Sequence, residues 1–384
     1  ALSATMFLAF AGERVSRYTA GASFAAFTGS AAGSSPSCRS VESWWPHMLE
    51  RAPETQSRFE KLLSSQSSTA DACFLCGDLL TAKTRTREHI IPAWLQARFN
   101  LHAKRMDLLN GTPIPYSQLV TPCCAACNND ALRPLEDKVH QATARGAAAV
   151  RDLDKPTLFL WLAKIFYGLL HRELFLANNR SDPTSKTITS PEMLNEFRFL
   201  FALLQATRTP MNLDPIPASL MVYEVQVPTD PSARWDFRDS LHRMFMCLRM
   251  GAVGIVAVLE DGGAQQPIMD THLRKLPQPL HPFQHLELCA KVCYASTLAN
   301  RVPQFLTVEH PGGINLVQMP LAGLSGIPIF DEWNDDHYAD VLAAFTRQPR
   351  ERVLHPDGGA YTWLYEGDGS PKHISLAEMP WPPG

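Results

Sequence analysis

Apolar residues recur with helical periodicity over 155–178 and 191–206, and they gather into strand-like runs over 219–227 and 245–259. The first segment is the most apolar of the chain, yet Lys164, His171 and Arg172 interrupt it, so it predicts a buried core helix and not a membrane span. Gly251 and Gly254 fall inside the second strand-like run and Asp261-Gly262-Gly263 follows it, as in a hairpin with a turn beyond. Before residue 70 the pattern differs. Residues 1–40 are rich in Ala, Ser and Gly and predict a low-complexity or disordered leader. A helical segment follows over 41–63 with Trp44 and Trp45 as anchors, and a Ser-rich linker runs through 68. Pro134 suits the first turn of another helix, and it puts Glu136 and Asp137 where carboxylates favour the helix dipole, a capping role. Near the end His281, His285, Cys289 and Cys293 recur every fourth residue. On a helix the first and last would lie about 18 Å apart, so they predict a helix stripe and not one four-ligand metal site. The whole reads as α+β: a small cysteine-rich module over 69–145, then a larger mixed α+β domain over 146–384 whose role the pattern does not announce, with no internal repeat.

Composition narrows the classes. A chain of 384 residues with 45% hydrophobic and 19% charged residues has ample material for a core. Its 35 Lys+Arg against 38 Asp+Glu, a net charge of -3, exclude a dedicated nucleic-acid coat, so any nucleic-acid footprint is local. One local candidate is the cluster Lys83, Arg85, Arg87, Arg98, Lys104 and Arg105, which encloses a single acid, Glu88. The apolar run at 6–10 is too short for a signal peptide, and nine cysteines with two close pairs point to a reducing, cytoplasmic setting and to metal in preference to disulfides.

Cys73-Phe74-Leu75-Cys76-Gly77 and Cys124-Ala125-Ala126-Cys127 form two CxxC knuckles. A two-residue gap lets both thiolates of a pair turn onto one ion, and Gly77 permits the tight backbone after the first. Four thiolates close a tetrahedral shell, so the spacing predicts a structural Zn²⁺ held by Cys73, Cys76, Cys124 and Cys127. Cys123 has a three-residue gap to Cys127 and is read as a bystander.

Between the knuckles stands Arg87-Glu88-His89-Ile90-Ile91-Pro92-Ala93-Trp94, and Asn128-Asn129-Asp130 follows the last cysteine. Glu-His-Ile-Ile-Pro within two CxxC pairs, followed by Cys-Asn-Asn, resembles the HNH (ββα-metal) nucleases, in particular the four-cysteine type of phage Holliday-junction resolvases and defence-associated enzymes. The resemblance covers about 70 residues. It implies His89 as general base and Glu88 with Asn128 as ligands of a catalytic Mg²⁺ or Mn²⁺, because phosphodiester hydrolysis needs a proton acceptor for water and a cation for the charge that develops. Strict strand alternation would send Glu88 and His89 to opposite faces; the family is understood to bring both to one site through a bend. The Asn usual before the second knuckle is absent, with Gln118 near its place and Asn110 farther off. The long insert over 95–116 predicts a substrate-facing loop carrying Arg98, Lys104 and Arg105.

The resemblance therefore implies a metal-dependent endonuclease acting on DNA, with RNA as the other polymer open to it, in phage defence or restriction. One HNH site cuts one strand, so a homodimer would supply the second cut. The competing reading is a zinc-knuckle module that grips nucleic acid without cutting it; retention of Glu88, His89 and Asn128 favours the enzyme.

Overall fold

In the computed structural model, residues 56–179, 181–182, 184–321, 328–356 and 358–378 are described. The predicted leader and the Trp44–Trp45 segment lie outside them. Only the end of the predicted 41–63 helix falls within, as α1 (Arg58–Ser64), started by a capping box between Ser57 and Glu60.

The cysteine-rich region contains β1 (Arg85–His89), α2 (Ala93–Arg98), β2 (Arg105–Asp107), β3 (Pro113–Pro115), β4 (Val120–Cys124) and α3 (Arg133–Arg145). Strands β1 and β4 pair antiparallel, with Glu88 opposite Thr121 and His89 opposite Val120. A π-helical turn, Cys127–Leu132, leads from the second knuckle into α3, which has Pro134 in its first turn as its sequence predicts. The 95–116 insert is no open loop: β2 and β3 pair antiparallel, and Met106 lies opposite Ile114 with both side chains buried.

Next come α4 (Ala147–Arg151), α5 (Lys155–Glu173), α6 (Pro191–Glu196), α7 (Arg198–Leu204), β5 (Met211–Asn212), β6 (Ser219–Glu224), β7 (Trp235–Ser240), β8 (Phe245–Met250) and β9 (Val253–Val258). The chain continues through α8 (Gln266–Lys275), α9 (Pro282–Leu298), β10 (Phe305–His310), β11 (Gly313–Gln318), α10 (Asp335–Thr346) and α11 (Arg350–Val353). Asp154 caps α5 by accepting from the Thr157 backbone N–H at 2.8 Å. Every residue of α5 from Thr157 to His171 is buried, which is why its sequence is apolar nearly all round. No helix among the described residues is long and apolar enough to cross a membrane.

The predicted 245–259 run is the hairpin β8–β9, turned at Gly251, and it forms the centre of an antiparallel sheet of order β6-β9-β8-β7. Both central strands are buried on both faces. Met246, Leu248, Met250, Val253, Ile255 and Ala257 point into one core with the cysteine-rich region and α5. Phe245, Cys247, Val256 and Val258 point into a second core with α8, α9 and α10. The period-2 alternation thus sets the sheet as a middle layer, and the first core runs without a break across residue 146. His281 caps α9, while His285, Cys289 and Cys293 lie buried along that helix, His285 within 2.7 Å of the Tyr223 hydroxyl. They are a core stripe, as the four-residue spacing predicts.

Candidate active site

The four knuckle cysteines converge. Their sulfurs lie within 4.8 Å of one another, and they could hold a metal ion such as zinc. Cys76 and Cys124 are 3.8 Å apart at Sγ, which matches the edge of about 3.8 Å in a tetrahedron of metal–sulfur bonds of about 2.3 Å. The Cys127 backbone N–H donates to Cys124 Sγ at 3.3 Å, closing the second knuckle. After the first, Gly77 has φ +76° and a Cβ there would lie 1.8 Å from the Ser65 carbonyl oxygen, so only glycine fits. Cys123, the bystander, is buried with its Sγ 3.8 Å from that of Cys73.

Strand β1 keeps its alternation through His89, so the bend implied by the resemblance is not seen. Glu88 turns inward. Its carboxylate meets the ammonium of Lys164 from α5, and both side chains are almost wholly buried. Lys164 also pairs with Glu136 of α3 at 2.7 Å and donates to the backbone oxygens of His89 at 2.7 Å and Ile90 at 3.3 Å. Burial alone would lower the Lys164 pKa; Glu136 and Glu88 outweigh it and hold the ammonium above its ordinary value. Burial pushes the Glu136 carboxyl up, and the nearby Lys164 charge offsets this only in part. Glu136 is therefore the partner of a buried cation and not a cap, correcting its reading from helix position alone.

His89 turns the other way, half-buried, into a cleft of about 390 Å³ lined by Arg87, Ser117, Gln118, Val120 and Arg172. Desolvation and then the nearby Lys164 charge hold its pKa below the ordinary value, leaving the imidazole neutral near pH 7. Asn128 sits beside the ribbon, its amide donating to Thr86 Oγ1 at 3.0 Å and to the Arg87 carbonyl at 3.3 Å. Thr86 and Glu88 are two apart on β1 and share a face; His89 does not share it. The expected catalytic set is thus split across the strand.

The carboxylate expected for a catalytic divalent metal does not fit one as it stands, because Glu88 is engaged by the Lys164 ammonium. Asn128 uses only its amide hydrogens in its bonds to Thr86 and Arg87, so its side-chain oxygen, the atom a metal would take, is not part of them. Among the described residues the knuckle cysteines form the only cluster of three or more His, Cys, Asp or Glu side chains placed to share an ion.

Of the six basic residues expected to meet nucleic acid, only Arg87 lines the His89 cleft. Arg85 pairs with Asp71 at 2.6 Å, Lys104 donates to the Ser232 carbonyl at 3.3 Å, and Arg98 lies over the Phe99 ring in a separate cleft. Lys83 and Arg105 are exposed. The sequence reading missed Lys164 and Arg172 as site residues. A lysine in the middle of an apolar helix is itself a signal, since buried ammonium groups demand partners. Comparison of this chain with protein-family models, curated proteins and solved structures found no match.

Proposed function

We propose that this chain is an HNH-type nuclease that hydrolyses phosphodiester bonds in DNA. In this reading Zn²⁺ on Cys73, Cys76, Cys124 and Cys127 staples the ribbon to α3, and His89 is the general base. The observation that carries the reading is His89 itself: a neutral imidazole facing an arginine-lined cleft without a carboxylate, on a two-stranded ribbon fastened to a helix by four cysteines. His89 takes a proton from water, the water oxygen attacks phosphorus, the P–O ester bond breaks, and the leaving oxygen takes a proton from solvent. The Arg87 guanidinium offsets the charge gathering on the phosphoryl oxygens. A divalent cation would supply further charge neutralisation if bound, but no step is assigned to it, because Glu88 is engaged by Lys164.

That engagement favours a second reading, a nucleic-acid-binding module without turnover. Incubating the full chain with supercoiled plasmid in Mg²⁺, in Mn²⁺ and in EDTA, beside His89→Ala, separates the two. Nicking that falls by about 10²-fold or more in His89→Ala supports hydrolysis by this base. Nicking that persists in His89→Ala removes His89 from the mechanism, and plasmid that stays intact in every arm leaves the binding module.

A further inference from the structure

The cleft beside His89 holds two guanidinium groups and no acid. Arg87 reaches it from β1, and Arg172 reaches it from the last turn of α5. The position of Arg172 is set by its neighbour: the His171 imidazole lies 2.8 Å from the Thr121 hydroxyl on β4, which anchors the end of α5 to the ribbon. Arg172 Nε is buried and has no hydrogen-bond partner among the described residues. Burial and then the charge of Arg87 lower the Arg172 pKa, the mark of two cations sharing a pocket without an anion between them. Two arginines lining a cleft without a carboxylate leave an anion as the complement that the chain itself does not provide there. Ser117 and Gln118 on the rim add a hydroxyl and an amide.

We propose that Arg172 and Arg87 form a phosphate-binding site next to His89, the ligand being the phosphate group of a nucleic-acid strand. A tetrahedral dianion or diester offers separate oxygens to two converging guanidiniums, and charge-assisted bonds of that kind are short and strong. Arg172 lies outside the region that carries the HNH resemblance, so the site joins that region to the rest of the chain. The inference deepens the nuclease reading yet does not need turnover.

The test uses the full chain without added divalent metal, so binding is read in the absence of cleavage. Inorganic phosphate is titrated while the ¹³C-labelled histidine resonances are followed, with His89 assigned through His89→Ala. Fluorescently labelled single-stranded oligonucleotides, with and without a 5′-phosphate, are titrated in parallel by anisotropy. The expected result is a saturable shift of the His89 resonance, and an oligonucleotide affinity about tenfold or more weaker in Arg172→Gln, with a salt slope reduced by about one. Arg87→Gln, a change at an exposed residue, should show the same loss, and Arg172→Lys should restore part of it. Preference for the 5′-phosphorylated strand assigns the site to a terminal phosphate; equal binding of the two assigns it to internal diesters. Unchanged affinity in both glutamine variants, or a His89 resonance that phosphate does not move, overturns the proposal. If plasmid stays intact while Arg172-dependent binding holds, the site stands and hydrolysis falls. If plasmid is cut while Arg172→Gln binds as the wild type does, the site alone falls.

Discussion

Replacing Lys164 by methionine puts the buried charge cluster to a direct test. Methionine keeps most of the volume of the side chain but removes an ammonium that touches two carboxylates, from Glu88 and Glu136, and two backbone oxygens, from His89 and Ile90. Breaking a buried pair from one side strands the partner charge and typically costs 3–5 kcal/mol. Here two carboxylates are stranded, so a loss of about 3–5 kcal/mol at pH 7 is a minimum, a large share of an ordinary stability of about 5–15 kcal/mol. The cost depends on pH with a definite sign. In Lys164→Met the Glu136 carboxyl, already raised by burial, loses the cation that offset that burial, so the folded state holds a proton that the unfolded state releases. Stability then falls as pH rises from the unfolded pKa through the raised folded one, and the variant should be markedly weaker at pH 8 than at pH 5. Removing all three charges, Lys164→Met with Glu88→Gln and Glu136→Gln, should recover most of the loss. The freed carboxylates also face each other from β1 and α3, a pair fit for a hard divalent cation. Millimolar Mg²⁺ should stabilise Lys164→Met, by about 2.7 kcal/mol at a hundredfold excess over Kd, and leave the wild type unchanged. Urea unfolding followed by tryptophan fluorescence reads this well, because Trp161 is fully buried one turn before Lys164. A single variant within about 1 kcal/mol of wild type, or Mg²⁺ acting equally on both proteins, would refute the view that the ammonium fills the place of a cation.

Two further predictions concern the frame. Glu173 is buried at the end of α5, accepting from the Leu109 N–H at 3.1 Å and the Thr189 hydroxyl at 3.2 Å, and burial lifts its pKa from 4.5 to about 7. Its raised value means that stability is fully present well below pH 4.5 and is lost as pH rises through about 7, so Glu173→Gln should gain up to about 3 kcal/mol over wild type at pH 8 and under about 1 kcal/mol at pH 5; an equal melting-temperature difference at the two pH values would disprove it. For the cysteine cluster, elemental analysis should give one zinc per chain in the wild type and in Cys123→Ser, and a loss of bound zinc in Cys124→Ser with a lower melting temperature. The reverse pattern would make Cys123 the ligand.

What the sequence disclosed was what local periodicity and spacing encode. The two knuckles, the helix carried by 155–178, the central strands and the α9 stripe all follow from patterns within one segment. Alternation also foretold that Glu88 and His89 face opposite ways, and here it was a better guide than the bend that the resemblance implied. The missed features are contacts between segments far apart in the chain. The partners of Lys164 come from β1 and α3, more than 70 and nearly 30 residues earlier, and no spacing rule links them. Arg172 reaches the cleft from the turn of α5 that His171 ties to Thr121, 50 positions away. The basic cluster shows the same limit: Arg85 and Lys104 are close to Arg87 in sequence, yet the first pairs with Asp71 and the second with the Ser232 carbonyl, and neither lines the His89 cleft.

These long-range contacts lie on one face of one helix. Lys164, Gly168, His171 and Arg172 stand at i, i+4, i+7 and i+8 on α5, the spacing of a helical stripe. Lys164 sits beneath Glu88 and Glu136, and His171 is tied to β4. A Cβ on Gly168 would come within 3.2 Å of the Ile90 side chain, so the helix lies close against the ribbon just past His89. Arg172 then emerges into the cleft. The stripe serves as the ribbon's floor, although it belongs to the region after residue 146. The opposite side of α5 packs into the core that reaches the β6-β9-β8-β7 sheet. An ordinary ribbon of two strands is only marginally stable alone, and this one has a four-cysteine cluster at one end and a buried ammonium at the other, where Lys164 meets Glu88, His89 and Ile90. The strand that carries Glu88 and His89 is thus positioned by side chains of α5, from the larger part of the chain.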